Sequence, residues 1–379
     1  MSNNRKIKIF VDGHCFDRPF QGTRTFVHGL YTALIQNPDV DIFIGAHDTA
    51  AVARAFPSLK TEKILKYKKR RPSILRLLLD IPSILNSNRF DYAHFQYLAP
   101  APTAGCEYIV TVHDVLFNDF KSSFSLRYRA SRNFLFARSL RRAAIKTTVS
   151  GYSENAISRC YDIAKEQLHV IPNGVGSLTD KFLSAPTAAQ LILEKYNIKN
   201  FVLYVSRIEP RKNHLLLLDT FLQLELYRQN ISLVFIGEPS LAVPGLQQKM
   251  KSLTPEQQPF VHWIRQVSQP ELEWFYRSCR LFVYPSIAEG FGIPPLEAAV
   301  CKAPVLCSNA TAMKDYTFFD PHSFDPGNPE EFKNKFQRLM EHGSSNNELD
   351  SIAATVLERY SWKNSAATFF KILQQNHQP

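Results

Sequence analysis

The chain has 379 residues, 45% of them hydrophobic and 21% charged, and no low-complexity tract. That leaves room for two ordinary domains and excludes a disordered or fibrous protein. The net charge of +11 sits wholly in one half: residues 1–175 carry 25 Lys and Arg against 14 Asp and Glu, whereas residues 176–379 carry 20 of each. An excess confined to one half suits an acidic partner for that half. No apolar run reaches the roughly 18–20 residues that cross a bilayer. The opening Met1-Ser2-Asn3-Asn4-Arg5-Lys6 leads straight into a strand-like run without an apolar signal region, so a cytoplasmic location is expected. The six cysteines are scattered, with no Cys-x-x-Cys and no zinc spacing, which predicts reduced core thiols and no metal site.

In chain order, residues 7–11 read as a first strand, 25–36 as a helix and 40–46 as a second strand, with Asp48 as a helix N-cap after it. Residues 91–97, 108–112 and 146–149 read as further strands, 169–175 as a short strand ending in a turn, and 152–163 as a helix. A linker is expected over 176–186. A second series follows, with strands at 201–205, 231–236, 281–284 and 305–307. Helices are predicted between them at 215–227, 271–278 and 294–301, and three more at 330–340, 348–360 and 362–375. Apolar strands alternating with amphipathic helices imply parallel sheets covered on both faces. Two series imply two Rossmann-like domains, over 1–178 and 187–360, with 361–379 as a last helix that can cross back to the first. Ligands of such sheets bind beyond the carboxyl ends of the strands, here expected in a cleft between the domains.

The chemistry concentrates at those strand ends. Strand 281–284 leads into Glu289-Gly290-Phe291-Gly292-Ile293-Pro294-Pro295-Leu296-Glu297. Two carboxylates bracket a glycine turn that runs into a helix N-terminus. The turn and helix end suit phosphate, while the carboxylates accept hydrogen bonds from sugar hydroxyls. Strand 201–205 ends at Ser206-Arg207, with Lys212 five residues on, a pair of cations fit to clamp a diphosphate. His113-Asp114 ends strand 108–112 and can offer an imidazole to a sugar or a phosphate. Gly13 and Gly22 flank the first loop, which holds Arg18 and Arg24 and can approach a phosphate or an acceptor, although no G-x-G-x-x-G is present.

Two basic stretches mark the first half. One is Lys66-Tyr67-Lys68-Lys69-Arg70-Arg71, followed by an apolar run containing Arg76. The other, residues 120–153, lacks any acidic residue and interleaves Arg138, Arg141 and Arg142 with aromatics. Cations beside aromatics suit an anionic membrane surface, and Lys68, Lys69, Arg70, Arg71, Arg138, Arg141 and Arg142 are the expected contacts. On a helical wheel the cations of the second stretch do not form one clean face.

Glu289 to Glu297, with the central G-F-G-I-P-P-L, resembles the E-x7-E motif of the retaining family-four glycosyltransferases of GT-B fold. The resemblance extends to Ser206-Arg207, Lys212-Asn213, Ile171-Pro172-Asn173-Gly174-Val175, His113-Asp114 and Phe282-Val283-Tyr284-Pro285-Ser286. It implies that Arg207 and Lys212 bind the donor's diphosphate. It places Glu289 on the donor sugar, Glu297 on the ribose, and His113 near the reacting end of the sugar. Gly290, Phe291, Gly292, Ile293, Ser206 and Asn173 complete donor binding, and Gly22 and Arg24 serve the acceptor or phosphate loop. It implies a metal-independent transfer with no cofactor beyond the nucleotide-diphosphate sugar. Where family members carry two adjacent glycines in the first loop, this chain has only Gly22; Lys302 stands where glycine often follows the motif helix.

The function expected is transfer of a hexose, first mannose from GDP-mannose, to a lipid-linked or polysaccharide acceptor in cell-surface glycan synthesis. The enzyme would lie on the inner face of the cytoplasmic membrane. A GT-B nucleotide-sugar epimerase is one alternative. A non-enzymatic nucleic-acid-binding protein is another, but no nucleic-acid fold is recognisable in the basic stretches.

Overall fold

The computed structural model describes residues 5–17, 22–68, 74–121, 124–176 and 183–377. The chain divides into two compact units, Met1–Gly174 with Tyr360–Pro379, and Val175–Arg359.

The first unit is built on seven strands: β1 (Ile7–Asp12), β2 (Val40–Ala46), β3 (Ile64–Lys66), β4 (Tyr92–Gln96), β5 (Glu107–Thr111), β6 (Ile145–Thr148) and β7 (Leu168–Val170). Their order is β3-β2-β1-β4-β5-β6-β7 and every pairing is parallel. Strand alternation sorts the side chains by face. Ala93, Phe95, Tyr108 and Val110 join one apolar core with Leu77, Ile81 and Leu85, and with Phe136 and Leu140 of the helix Leu126–Arg142. His94, Gln96 and Thr111 alternate with them and turn to the opposite face. There lie Phe26 and Tyr31 of the helix Gly22–Leu34 and Phe369 of the last helix, Trp362–Asn376. The last helix packs so tightly that a Cβ on Gly29 would stand 2.0 Å from the Trp362 ring.

The second unit carries β8 (Phe201–Val205), β9 (Ser232–Ile236), β10 (Val261–Ile264), β11 (Leu281–Tyr284), β12 (Val305–Ser308) and β13 (Ser323–Phe324), in the order β10-β9-β8-β11-β12-β13, all parallel. In both sheets the strand order reverses beside the first strand, between β1 and β4 and between β8 and β11. Crevices open at such switch points.

Several elements depart from the sequence expectation. Thr49–Ala55, Ala185–Tyr196 and Pro244–Lys251 are helices that the apolar spacing did not mark. Asp48 caps the first of these, accepting the Ala51 N–H at 2.8 Å. The expected helix over 215–227 stops at Gln223, because Glu225 takes a positive φ of 48°. Edge strand β10 was missed because three of its four residues are only half-buried, which blurs the alternation. Part of the expected 176–186 linker, 177–182, lies outside the described residues, and Ser184 already caps the next helix. Cys15, Cys279, Cys301 and Cys307 are buried thiols as expected, but Cys160 is exposed, since it sits on the outer side of its helix.

Candidate active site

At the switch point of the second sheet, β8 delivers Ser206 and Arg207 and β11 delivers the Glu289 loop. Gly237, after β9, has φ 149°, and a Cβ there would meet the Ser206 carbonyl oxygen at 2.0 Å. Only glycine lets the two strand ends close up in this way. Ser206 is buried, whereas Arg207 is exposed and has no ion pair among the described residues.

A 3-10 turn, Pro210–Lys212, follows, ended by Asn213 at φ 56°. It turns Lys212 inward, where the ammonium pairs directly with Glu289 and lies 3.4 Å from the Tyr284 hydroxyl. Arg211 reaches the same carboxylate. Its Nη1 donates to Glu289 Oε2 at 3.0 Å and to the Ala288 carbonyl at 2.6 Å, and its Nη2 to Glu209 at 2.6 Å. Ser286 and Tyr284 donate to Glu289 Oε1 at 2.7 and 2.9 Å. Burial raises the Glu289 carboxyl pKa, but Lys212 and Arg211 outweigh it and hold the group down at about 2. Burial in turn lowers the Lys212 ammonium pKa, against the pull of Glu289.

Glu297, on the helix Ile293–Val300, has the opposite surroundings. Its one hydrogen-bond donor among the described residues is the Tyr276 hydroxyl at 2.9 Å, and burial pushes its carboxyl up to about 7. Two carboxyls of one motif are thus set far apart, a pattern that marks different tasks. The turn between them is pinned by Tyr316, whose hydroxyl donates to the Phe291 and Gly292 carbonyls at 2.7 and 3.2 Å. Gly292, at φ 94°, caps the helix. Pro294 and Pro295 have no N–H, so this helix end offers fewer donors than its glycine turn suggests.

In the first unit, His113 follows β5 and is buried. Its Nε2 lies 2.7 Å from Gln96 Oε1, and Phe26 covers it edge-on at 5.0 Å. Burial lowers its pKa to about 3, so the ring is neutral near pH 7. Asn173 is buried with no hydrogen-bond partner for Oδ1. Gly22 opens its helix at the surface, and the Arg24 guanidinium lies over the Phe16 ring at 5.1 Å. Arg18 lies outside the described residues.

The basic helix Leu126–Arg142 leaves Leu126 77% and Phe134 66% exposed, with Tyr128, Arg138 and Arg141 at the surface. Arg142 does not stand free as expected: it donates to the Pro100 carbonyl at 2.8 Å. Arg76 is also turned in, holding the buried Asp12 carboxylate with Nε at 3.1 Å and Nη2 at 2.9 Å. Lys68 is exposed, and Lys69, Arg70 and Arg71 lie outside the described residues. No described helix is long and apolar enough to cross a membrane.

Sequence reasoning missed Arg211 and the Ser286 and Tyr284 donors. The run Arg211-Lys212 held the signal, but only the 3-10 turn shows that both cations converge on Glu289.

Two family models cover the chain in tandem. "Glycosyltransferase Family 4" matches residues 20–176, and "Glycosyl transferases group 1" matches 189–356. O-antigen chain mannosyltransferase B of Escherichia coli is 25% identical over 80% of this chain and 80% of its own length. Serotype-specific mannosyltransferase WbdA of Escherichia coli is 28% identical over 57% of this chain, which spans only 27% of that longer protein. Among solved structures, Anabaena Alr3699/HepE in complex with UDP and glucose superposes with a TM-score of 0.72 at 16% identity, over 97% of this chain and 100% of that one.

Proposed function

Because the chain belongs to the family-four glycosyltransferases of GT-B fold, we propose that it moves a hexose, with retention, from a nucleotide-diphosphate sugar to a lipid-linked or polysaccharide acceptor. Mannose from GDP-mannose is the first candidate, on the strength of its mannosyltransferase relatives. The observation that carries the reading is the convergence of Lys212 and Arg211 on Glu289, the two cations lying five residues or fewer along the chain from exposed Arg207. The leaving group is a nucleoside diphosphate whose charge grows as the glycosidic bond breaks. Fixed cations facing it lower that barrier without any reorganisation. Arg207 grips the diphosphate bidentately and Lys212 adds a buried charge. Glu289, kept ionised, accepts hydroxyls of the donor sugar. Arg211 orients Glu289 by holding its second oxygen. Glu297 takes the ribose hydroxyls, and His113 serves the reacting end of the sugar. Asn173, Ser206 and residues 290–293 complete the donor site, with Gly22 and Arg24 on the acceptor side.

The proposed transfer needs no metal and no further cofactor, since the cations already supply the charge. Exposed Leu126, Tyr128 and Phe134 beside Arg138 and Arg141 support contact with an anionic membrane on its cytoplasmic face. A panel of nucleotide sugars read by thermal shift would identify the donor: at about 100 times its Kd, it adds about 2.7 kcal/mol of stability. Transfer should survive EDTA and fall about 100- to 1,000-fold in Glu289→Ala or Lys212→Ala. Full activity in both variants would overturn the site, and loss with chelator would overturn the metal-free chemistry.

A further inference from the structure

A chain of buried polar side chains runs from His113 into the core of the first unit. His113 Nε2 meets Gln96 Oε1 at 2.7 Å, and Gln96 Nε2 meets His94 Nε2 at 3.2 Å. His94 Nε2 also meets Thr111 Oγ1 at 2.7 Å, Thr111 meets Thr147 at 2.5 Å, and His94 Nδ1 meets the Tyr31 hydroxyl at 2.6 Å. All six residues are buried. Such groups are costly to bury unless each finds a partner, and an apolar set would hold the sheet equally well.

The donors and acceptors impose a direction on the chain. The amide oxygen of Gln96 can only accept, so His113 Nε2 carries the proton and donates. The amide NH2 can only donate, so His94 Nε2 is bare and its Nδ1–H donates to Tyr31. Thr111 completes the pattern by donating to the same bare nitrogen. Burial lowers the pKa of both imidazoles to about 3, so both are neutral. A neutral imidazole with its proton on Nε2 has an Nδ1 that can only accept. Among the described residues, His113 Nδ1 has no hydrogen-bond partner. A bare nitrogen takes a hydroxyl O–H; it repels an ionised phosphate oxygen, which has no proton to give.

We propose that Gln96 is a positioning residue for sugar transfer: it locks His113 in the Nε2–H tautomer, so that Nδ1 accepts a hydroxyl of the donor sugar and rejects phosphate. The proposal rests on the assignment of His113 to that sugar. The groups packed around His113 are His94, reached through Gln96, the Tyr97 ring at 5.3 Å and the Phe26 ring. Asp114 follows His113 in the chain and accepts the Leu116 N–H at 3.2 Å.

The test uses the whole protein labelled with 15N-histidine, His113 being identified by the signal lost in His113→Ala. The spectrum of the unsubstituted protein should show the proton on Nε2 and no titration between about pH 5.5 and 8. Gln96→Glu puts a carboxylate against Nε2 and should raise the His113 pKa into that window. Protonation then removes the Nδ1 acceptor. The ratio of variant to wild-type donor KM should therefore rise about tenfold as pH falls through the window, with little change in the kcat ratio. Each ratio is followed within one folded variant, so a general loss of folded protein cancels. Gln96→Leu should release the lock and let the Nδ1–H form appear. A proton on Nδ1 in the unsubstituted protein would overturn the proposal. An unchanged donor KM in His113→Ala would overturn the role of His113 itself. A raised KM there with a flat ratio in Gln96→Glu would overturn the role of Gln96 alone.

Discussion

Glu289 and Glu297 lie eight positions apart in one motif, yet the fold gives them opposite ionisation. Glu289 is held at about 2 by Lys212 and Arg211. Its folded pKa is depressed below the unfolded value, so it contributes stability at neutral pH that is lost progressively as pH falls from 4.5 through about 2. Glu297 is raised from 4.5 to about 7 by burial. A raised carboxyl works the other way: its protonated form is favoured by folding, so the protein loses stability as pH rises from 4.5 through 7. Two outcomes are expected near neutrality. Donor KM should fall as pH climbs through about 7, because only the carboxylate accepts two ribose hydroxyls. Glu297→Gln should flatten both that profile and the decline of melting temperature over the same range. A Glu297→Gln protein that keeps the parental slope in both would remove Glu297 from the ribose. The carboxylates themselves were legible in the sequence, because their spacing is local. Arg211 was not: adjacent Arg and Lys look alike until backbone dihedrals decide which way each points.

Among elements, the helix Ile293–Val300 shows how a turn residue departs from its usual type. Lys302 follows it with φ 60°, in the left-handed region, and pairs with Asp350 at 2.5 Å. A side chain there costs about 1–2 kcal/mol, while glycine gives back about 0.5–1 through its looser unfolded chain. Lys302→Gly should therefore stabilise by about 0.5–1 kcal/mol and raise the melting temperature by about 2 °C in calorimetry, with activity unchanged. An equal or lower melting temperature would show that the Asp350 pair outweighs the strain. The basic stretch 120–153 resolves in a similar way. Its cations form no single helical face because Arg129, Arg132 and Arg142 are half-buried while Arg127, Arg138 and Arg141 are exposed. The helix period was visible in the residues, but the side that meets the core was not.

At the scale of the whole chain, the charge asymmetry becomes a property of one unit. The excess of cations falls in residues 1–175, almost all of them in the unit that also carries exposed Leu126 and Phe134. The helix Leu126–Arg142 and the segment holding Leu77 and Ile81 pack on the same core cluster, hence on the same face of the first sheet. Exposed Leu78 and Leu79 belong to that layer as well. Flotation with anionic vesicles should exceed flotation with neutral ones and weaken with salt, as screened charge requires. A Leu126→Ser, Phe134→Ser double variant should float several-fold less at an unchanged melting temperature. Equal flotation on both lipids, or none, would remove the membrane from the proposal.

The sequence by itself determined the two series of strands and helices, the strand ends where the candidate site lies, and the two carboxylates of the motif. These follow from short-range regularities: a period of two for strands, 3.6 for helices, and glycine where the backbone must turn. Tertiary structure alone decided what those residues face. It converged Lys212 and Arg211 on Glu289, left Glu297 with a single donor among the described residues, returned Trp362–Asn376 to the first unit, and lined up His113, Gln96 and His94 on one face of one sheet. Each of these depends on contacts between residues far apart in the chain, where charge, burial and hydrogen bonding are set by neighbours that no local pattern names.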